Sequence, residues 1–262
     1  MNEKVILISI DGMRPDGVIQ CGHPFIQELK SISSYTLQGD SVFPPVTLPC
    51  HISIFHSIPP DRHGIITNTY SPPVRPITSI TDQLSASGKT CAAFYNWEFI
   101  RDIWKPETMK YTFYIHCYED KNSDLVLTNQ ALSLIKFKYP DFVFLHLVET
   151  DTKGGHDNGW MSPKYLTQLT NAISCAEKII KTVGRDYHII ITSDHGGHDR
   201  THGYNCPEDM IIPMFFYGKS FLPGQKLNNI SLLDLAPTIA SLIGVPAARK
   251  WEGHVIHHIQ PK

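Results

Sequence analysis

No stretch of this 262-residue chain is an apolar run long enough to cross a bilayer as a helix, which excludes a helical membrane protein. Charge of one sign is also lacking. The 23 basic residues stand against 25 acidic ones, for a formal net charge of -2, and no dense basic stretch occurs. A dedicated binder of nucleic-acid polymers or of anionic membranes is therefore not expected. There is no internal repeat, no low-complexity linker and no CxxC pair. The six cysteines (Cys21, Cys50, Cys91, Cys117, Cys175 and Cys206) are scattered, which reads as reduced, buried thiols rather than a disulfide framework. A secretory leader is not apparent either. Residues 1–4 run straight into VILISI, too short for an apolar signal core and ended by Asp11. The expectation is a cytoplasmic protein.

What is present is a globular balance of 42% hydrophobic and 18% charged residues, enough for one sizeable domain. Strand-like apolar runs cover residues 5–10, 90–95, 141–148, 187–192 and 211–217. Helix-like stretches cover 24–31, 48–56, 77–87, 123–138, 162–183 and 232–242, and Ser162-Pro163 forms a good helix start. This alternation predicts an α/β fold, a mostly parallel central sheet with helices on both faces. The proline-rich stretch 68–76 is too short for an interdomain linker. One domain over 1–262 is expected, with a small cap built from residues 98–118 kept as an option.

In such sheets ligands bind beyond the carboxyl ends of the strands, and four polar clusters follow strand-like runs. Asp11-Gly12 follows the first. Glu149-Thr150-Asp151 follows the third, with His156 shortly after. Ser193-Asp194-His195-Gly196-Gly197 follows the fourth, and His202-Gly203 lies in the loop beyond. A lone Asp after a strand is usually a turn residue or a cap; four clusters at one sheet edge are not explained that way. Together they supply Asp11, Asp151, Asp194, His156, His195 and His202. Mixed imidazole and carboxylate ligands suit zinc first, with manganese or iron as alternatives. Six ligands exceed one tetrahedral zinc and match two, each with an open position. Two metals so placed form a clamp for in-line displacement at phosphorus. Gly12, Gly154, Gly155, Gly196 and Gly197 are expected to let the backbone pass close to the metals.

Thr47 falls just before a helical stretch, with Pro49 in its first turn. Its hydroxyl is either a simple N-cap or a nucleophile that feels the helix N-terminus and a metal.

These stretches resemble the alkaline phosphatase superfamily, specifically its nucleotide pyrophosphatase/phosphodiesterase-like branch. The matching pieces are Ile8-Ser-Ile-Asp-Gly-Met-Arg14, Thr47-Leu-Pro-Cys-His51, His63-Gly-Ile-Ile-Thr-Asn68, Gly155-His156, Thr192-Ser-Asp-His-Gly-Gly197 and Thr201-His-Gly203, with LLDLAPTIASL and Trp251-Glu-Gly253 as a closing helix and tail. The resemblance implies that Asp151, His156 and His202 hold one zinc and that Asp11, Asp194 and His195 hold the other. It implies Thr47 Oγ as nucleophile on the second ion. It also implies that Asn68, helped by the Leu48 N–H, binds a phosphate oxygen. One departure stands out. The family's aspartate usually precedes its histidine by four residues, but Asp151 precedes His156 by five. Either the loop bulges by one residue or Glu149 competes as ligand; Asp151 is favoured because its shorter carboxylate is easier to fix beside a strand end.

The implied activity is metal-dependent hydrolysis of phosphodiester or pyrophosphate bonds in a small-molecule phosphate ester, through a phospho-threonine intermediate. Alternatives on the same scaffold are a phosphomonoesterase and a phosphonate or sulfate ester hydrolase. The non-enzyme alternative is a metal-stabilised binding module. Of the remaining residues, His198 reads as a support to a carboxylate or phosphate, or as an exposed loop residue. His51 and His56 read as packing or surface residues, and His254, His257 and His258 as part of a tail. Cys50 reads as a small buried hydrophobe. Trp97, Trp104 and Tyr70 read as core residues, with an aromatic wall to the site as the alternative.

Overall fold

The computed structural model describes residues 3–72 and 76–256. Its strands are β1 (Val5–Ile10), β2 (Ser33–Asp40), β3 (Cys91–Tyr95), β4 (Tyr111–Tyr114), β5 (Phe142–Leu147), β6 (His188–Thr192) and β7 (Ile211–Tyr217). They form one sheet in the order β2-β7-β6-β1-β5-β3-β4. The pairs β6-β1, β1-β5, β5-β3 and β3-β4 are parallel, while β7 runs antiparallel to β6 and to β2. The helices are α1 (Pro15–Gln20), α2 (Phe25–Ile32), α3 (Thr47–His56), α4 (Pro60–His63), α5 (Ile80–Ala86), α6 (Ser123–Lys138), α7 (Pro163–Val183), α8 (Pro207–Met210) and α9 (Leu235–Ile243).

The period-two alternation of the strands divides the core in two. Val5 and Leu7 of β1 and Phe142 and Phe144 of β5 face Phe55 of α3, Leu84 of α5 and Ile239 of α9. Ile6, Ile8 and Ile10 face the other side, against Leu29 of α2, Leu127 of α6 and Leu169 of α7. Every residue of β1, β5 and β6 is buried, as a strand covered on both faces requires. The expected α/β architecture, with helices on both faces of a mostly parallel sheet, is thus observed.

Several elements depart from the sequence expectation. The helix expected over 24–31 is α2, while α1, a short helix over Pro15–Gln20, precedes it unexpectedly and is separated from it by Gly22 at φ 69. β2 follows α2 directly, as an edge strand whose alternating burial hides only part of SSYTLQGD. α5 starts at Ile80 rather than 77, since Ser79 and Asp82 close a capping box there. Residues 98–118 hold two short 3₁₀ turns and β4, which pairs with β3 at the sheet edge.

Candidate metal centre

The register of the three central strands fixes the centre. Ile10 lies opposite Leu147, and Ser9 opposite Thr192. The residues leaving β1, β5 and β6 therefore emerge side by side, bringing Asp11, Asp151 and Asp194 to one edge. Asp11, Asp194 and His195 are fully buried, with ligand atoms within 4.8 Å of one another. His195 Nε2 lies 3.2 Å from Asp194 Oδ2 and 3.5 Å from Asp11 Oδ1. A second group within the same 4.8 Å span joins Asp151 and His202 to His195. The sequence assignment put His156 in that place. Its Nε2 does face Asp151 Oδ2, at 3.6 Å, while His202 Nε2 lies 3.8 Å from Asp151 Oδ1.

The five-residue step from Asp151 to His156 has a structural cause. Residues Thr150–His156 form a π-helical turn. Its i to i+5 repeat takes in the one additional residue and keeps both side chains on one face. Glu149, the competing carboxylate, is engaged elsewhere. Its Oε1 accepts from the Ser123 N–H and Oγ, each at 2.7 Å, and from Lys153 Nζ at 2.6 Å.

Each of the three histidines is held in one tautomer. Nδ1 donates to a backbone carbonyl in every case: His195 to Gly196 at 2.8 Å, His202 to Pro45 at 2.9 Å and His156 to Arg200 at 3.0 Å. A carbonyl can only accept, so Nδ1 carries the hydrogen and Nε2 keeps its lone pair toward the carboxylates. Burial keeps His195 and His202 neutral, lowering both pKa values to about 3.

The carboxylates have the complementary deficit. Asp11 Oδ1, Asp151 Oδ1 and Asp194 Oδ2 are buried and accept no hydrogen bond. Burial raises the pKa of all three. The charge of Asp194, then of Asp151, adds to this for Asp11, and that of Asp194 adds to it for Asp151. Carboxylate oxygens without a hydrogen-bond donor, facing imidazole lone pairs across a few ångströms, are the donor set a Lewis acid needs. Divalent cations fit it, and the mixture of nitrogen and oxygen donors suits zinc or manganese.

Thr47 sits over the inner group. The N-cap of α3 is Val46, in extended conformation, and its own apolar side chain makes no capping hydrogen bond. Thr47 is the first helical residue, and its hydroxyl donates to His195 Nε2 at 3.1 Å rather than to its own helix end. The simple capping role is therefore not what this hydroxyl performs. Asn68 reaches the same helix start: its Oδ1 accepts from the Leu48 N–H at 3.0 Å, turning Nδ2 away as a donor. That N–H is thus spent on Asn68, whereas the family resemblance implied that it would join Asn68 on phosphate.

Three further residues were missed or read as packing. His146, inside β5, donates from Nε2 to Asp11 Oδ2 at 2.9 Å. Its only sequence signal is a lone imidazole in the otherwise apolar FVFLHL. His51, fully buried, donates from Nδ1 to the Thr47 carbonyl at 2.8 Å, 3.6 Å from Asp194 Oδ2, and accepts from Ser9 Oγ at 2.9 Å. Trp160 donates to the Gly12 carbonyl at 2.9 Å and stands edge-on to His156 and His202. It also explains two of the glycines. A Cβ on Gly155 or Gly197 would come within 2.6 or 2.2 Å of the indole, and one on Gly196 within 1.9 Å of the Glu208 carbonyl. These glycines admit a ring and a neighbouring chain rather than a metal. Of the others, His198 pairs with Asp209 at 2.7 Å, Cys50 is buried, and Trp104 packs among Phe55, Tyr95 and Phe144. Tyr70 is exposed, Trp97 is half-buried against Phe99, and His254 is exposed. His257 and His258 lie outside the described residues.

A parallel sheet that gathers three carboxylates and three imidazoles beside a helix-borne threonine is the alkaline phosphatase-like α/β fold. Residues 5–205 match the family model described as type I phosphodiesterase / nucleotide pyrophosphatase, and the chain belongs to that family. It is 26% identical over 214 residues to rat ectonucleotide pyrophosphatase/phosphodiesterase family member 1, a match covering 73% of this chain and 24% of that protein. The chain thus spans about a quarter of the length of that relative. It is also 32% identical over 120 residues to a phosphopentomutase of Thermotoga petrophila, across 45% of this chain and 30% of the other. Murine ectonucleotide pyrophosphatase/phosphodiesterase 5, an inactive threonine-to-alanine variant in complex with AMP, superimposes with a TM-score of 0.80 at 16% identity. That match covers 94% of this chain and 96% of the other. A putative sulfatase from Bacteroides thetaiotaomicron shares the fold with a TM-score of 0.75 at 15% identity, over 98% of this chain and 74% of the other.

Proposed function

We propose that this chain hydrolyses phosphodiester or pyrophosphate bonds of a small nucleotide-like phosphate ester, with Thr47 as nucleophile. The observation that carries the reading is the Thr47 hydroxyl, buried and uncommitted to helix capping, beside carboxylate oxygens that lack any partner. Two divalent cations, on Asp11, Asp194 and His195 and on Asp151, His156 and His202, would supply Lewis acidity that lowers the pKa of the hydroxyl and neutralises charge on the reacting phosphate.

The chain's own residues do the rest. The first turn of α3 fixes Thr47 Oγ1, so attack on phosphorus needs no reorganisation of the backbone. The bond from Oγ1 to phosphorus forms as the bond from phosphorus to the ester oxygen breaks; the hydroxyl proton is released and the leaving oxygen takes one up, giving a phosphate ester on Thr47. Water then cleaves it, its oxygen bonding to phosphorus and a proton returning to Oγ1 to restore the hydroxyl. Asn68 Nδ2 donates to a non-bridging phosphate oxygen, and the Leu48 N–H acts through Asn68 by holding that amide in place. Residues 43–60 contain no lysine or arginine. A neutral amide and no added cation suit a monoanionic diester or pyrophosphate better than a dianionic monoester. The AMP held by the murine relative supports a nucleotide as the substrate class. All six cysteines are free, which supports a reducing compartment as the location.

The test is turnover of nitrophenyl phosphate mono- and diesters, phosphonates and sulfates with zinc or manganese. The diester should be hydrolysed fastest and only with metal. Thr47→Ala should lose more than about a thousandfold in kcat, with metal content and melting temperature near those of the parent, and Thr47→Ser should retain part of the rate. An alanine variant that remains fast would reject Thr47, and preferred turnover of sulfates would reject the substrate class.

A further inference from the structure

A separate group of side chains lies outside the six ligands, where the loop carrying His202 meets α8. His198, Cys206 and Asp209 bring an imidazole nitrogen, a thiol sulfur and a carboxylate oxygen within 4.8 Å of one another. His198 Nδ1 is 2.7 Å from Asp209 Oδ1, and Cys206 Sγ is 3.9 Å from His198 Nδ1. Cys206 is the N-cap of α8 and Asp209 its third residue, so the C-x-x-D spacing folds both side chains to the same end of the turn. The Tyr204 N–H occupies Asp209 Oδ2 at 2.9 Å, which leaves Oδ1 as the coordinating oxygen. The two segments are already locked together: Gly196 N–H donates to the Asp209 carbonyl at 2.8 Å and Gly197 N–H to that of Glu208 at 2.9 Å.

We propose that His198, Cys206 and Asp209 form a third metal site, selective for a thiophilic divalent cation such as zinc and distinct from the two-ion centre. A single ion bonded to nitrogen and oxygen at about 2.0–2.2 Å and to sulfur at about 2.3 Å fits between the three donors once His198 and Asp209 part from hydrogen-bond contact by roughly half an ångström, with a fourth position left for water. Binding releases the thiol proton to solvent. It also turns His198 to the tautomer with its hydrogen on Nε2, so that the Nδ1 lone pair meets the ion. The fully buried Asp209 carboxylate then shares its charge with a cation instead of one imidazole hydrogen.

The consequence is mechanical. The segment from Gly196 to His202 also provides the Arg200 carbonyl that holds His156 and the Asp199 carbonyl that accepts from Trp160 N–H. An ion at Cys206 clips this segment to α8 and fixes two ligands of the outer half at once.

The test uses cobalt(II) in place of zinc on the metal-stripped full chain. The two-ion centre offers only nitrogen and oxygen donors, so its cobalt gives weak visible bands alone, whereas a thiolate on cobalt adds an intense near-ultraviolet charge-transfer band. The parent should show that band and bind one cobalt more per chain than Cys206→Ser, which should lack the band and keep the visible ones. His198→Gln should weaken the band's metal affinity at least tenfold. A parent without the band, or a band that survives in Cys206→Ser, overturns the site. Loss of the visible bands alone would instead reject the two-ion centre. Thermal melts of the metal-stripped variants show that they fold, and the parent's own spectrum decides the matter if one does not.

Discussion

Asp11, Asp194 and His195 expose none of their side-chain surface, whereas His156 keeps 40% of its own exposed. The two halves of the centre also differ in what stands behind them. In the inner half, Asp11 leans on His146, and Asp194 lies beside His51, with both imidazoles packed in the core under α3. In the outer half, Asp151 and His156 ride on a π-helical turn, and His156 and His202 are held by the carbonyls of Arg200 and Pro45. Side chains locked in a core cannot turn away when an ion leaves, but a loop can. The inner half is thus a preformed socket, and the outer half depends on the conformation of two connecting segments.

The largest contrast is expected from His202→Ala. Removing an outer ligand should abolish binding of one of the two ions and lower turnover by roughly a hundredfold or more, a larger effect than loss of a supporting residue. The inner ion should remain, and the melting temperature of the metal-stripped protein should barely change. Elemental analysis beside steady-state kinetics reads both. Loss of both ions would mean that the halves are not independent, and normal activity would remove His202 from the ligand set.

The same contrast governs what the sequence discloses. Strands buried on both faces announce themselves as apolar runs, so β1, β5 and β6 are legible, and with them the clusters that follow each strand. Parallel register does the rest, because it aligns the carboxyl ends without any long-range information. β2 and β4 lie at the edges, where a half-polar pattern such as SSYTLQGD carries little strand signal. The support of the inner half is illegible for another reason. His146 reaches Asp11 only because β5 pairs with β1 and turns that side chain toward α3, and neither fact is local. The π-turn is half legible: the five-residue spacing betrays an additional residue but not how the backbone absorbs it.

His146→Leu probes the inner half at its support. The leucine suits a buried site beside the Phe144 and His51 rings, but it leaves Asp11 Oδ2 without the imidazole N–H. An unpaired buried acceptor costs about 1–3 kcal/mol. Both ions should still bind at saturating zinc, with affinity for the inner one reduced by roughly 10–100-fold. Competition against a chelator of known strength measures this, and turnover should recover as zinc is raised. An inner affinity equal to that of the parent would show that His146 merely fills space.

The smallest expected effect is one of pH, and its sign follows from the two kinds of ligand. Burial raises the Asp11, Asp151 and Asp194 pKa values above that of a free carboxyl, so the metal-free folded chain holds protons there more firmly than the unfolded chain does. Their contribution favours folding at low pH and is lost as pH rises through the folded values. His195 and His202, lowered to about 3, act oppositely. The unfolded imidazoles take up protons below about pH 6.5 and the folded ones do not, so stability falls as pH drops from there toward 3. A cation must displace the carboxyl protons, so its affinity increases with pH. At fixed zinc concentration, the rise in melting temperature over chelated protein should therefore be greater at about pH 8 than at about pH 6. Each tenfold gain in affinity adds about 1.4 kcal/mol once the ion exceeds its Kd, or roughly 2–4 °C for a chain of this size. Paired thermal melts across that range test the sign directly. A zinc-induced shift that does not change with pH would mean that no buried carboxyl proton is displaced, and one that grows toward acid would place the ion on groups other than these aspartates.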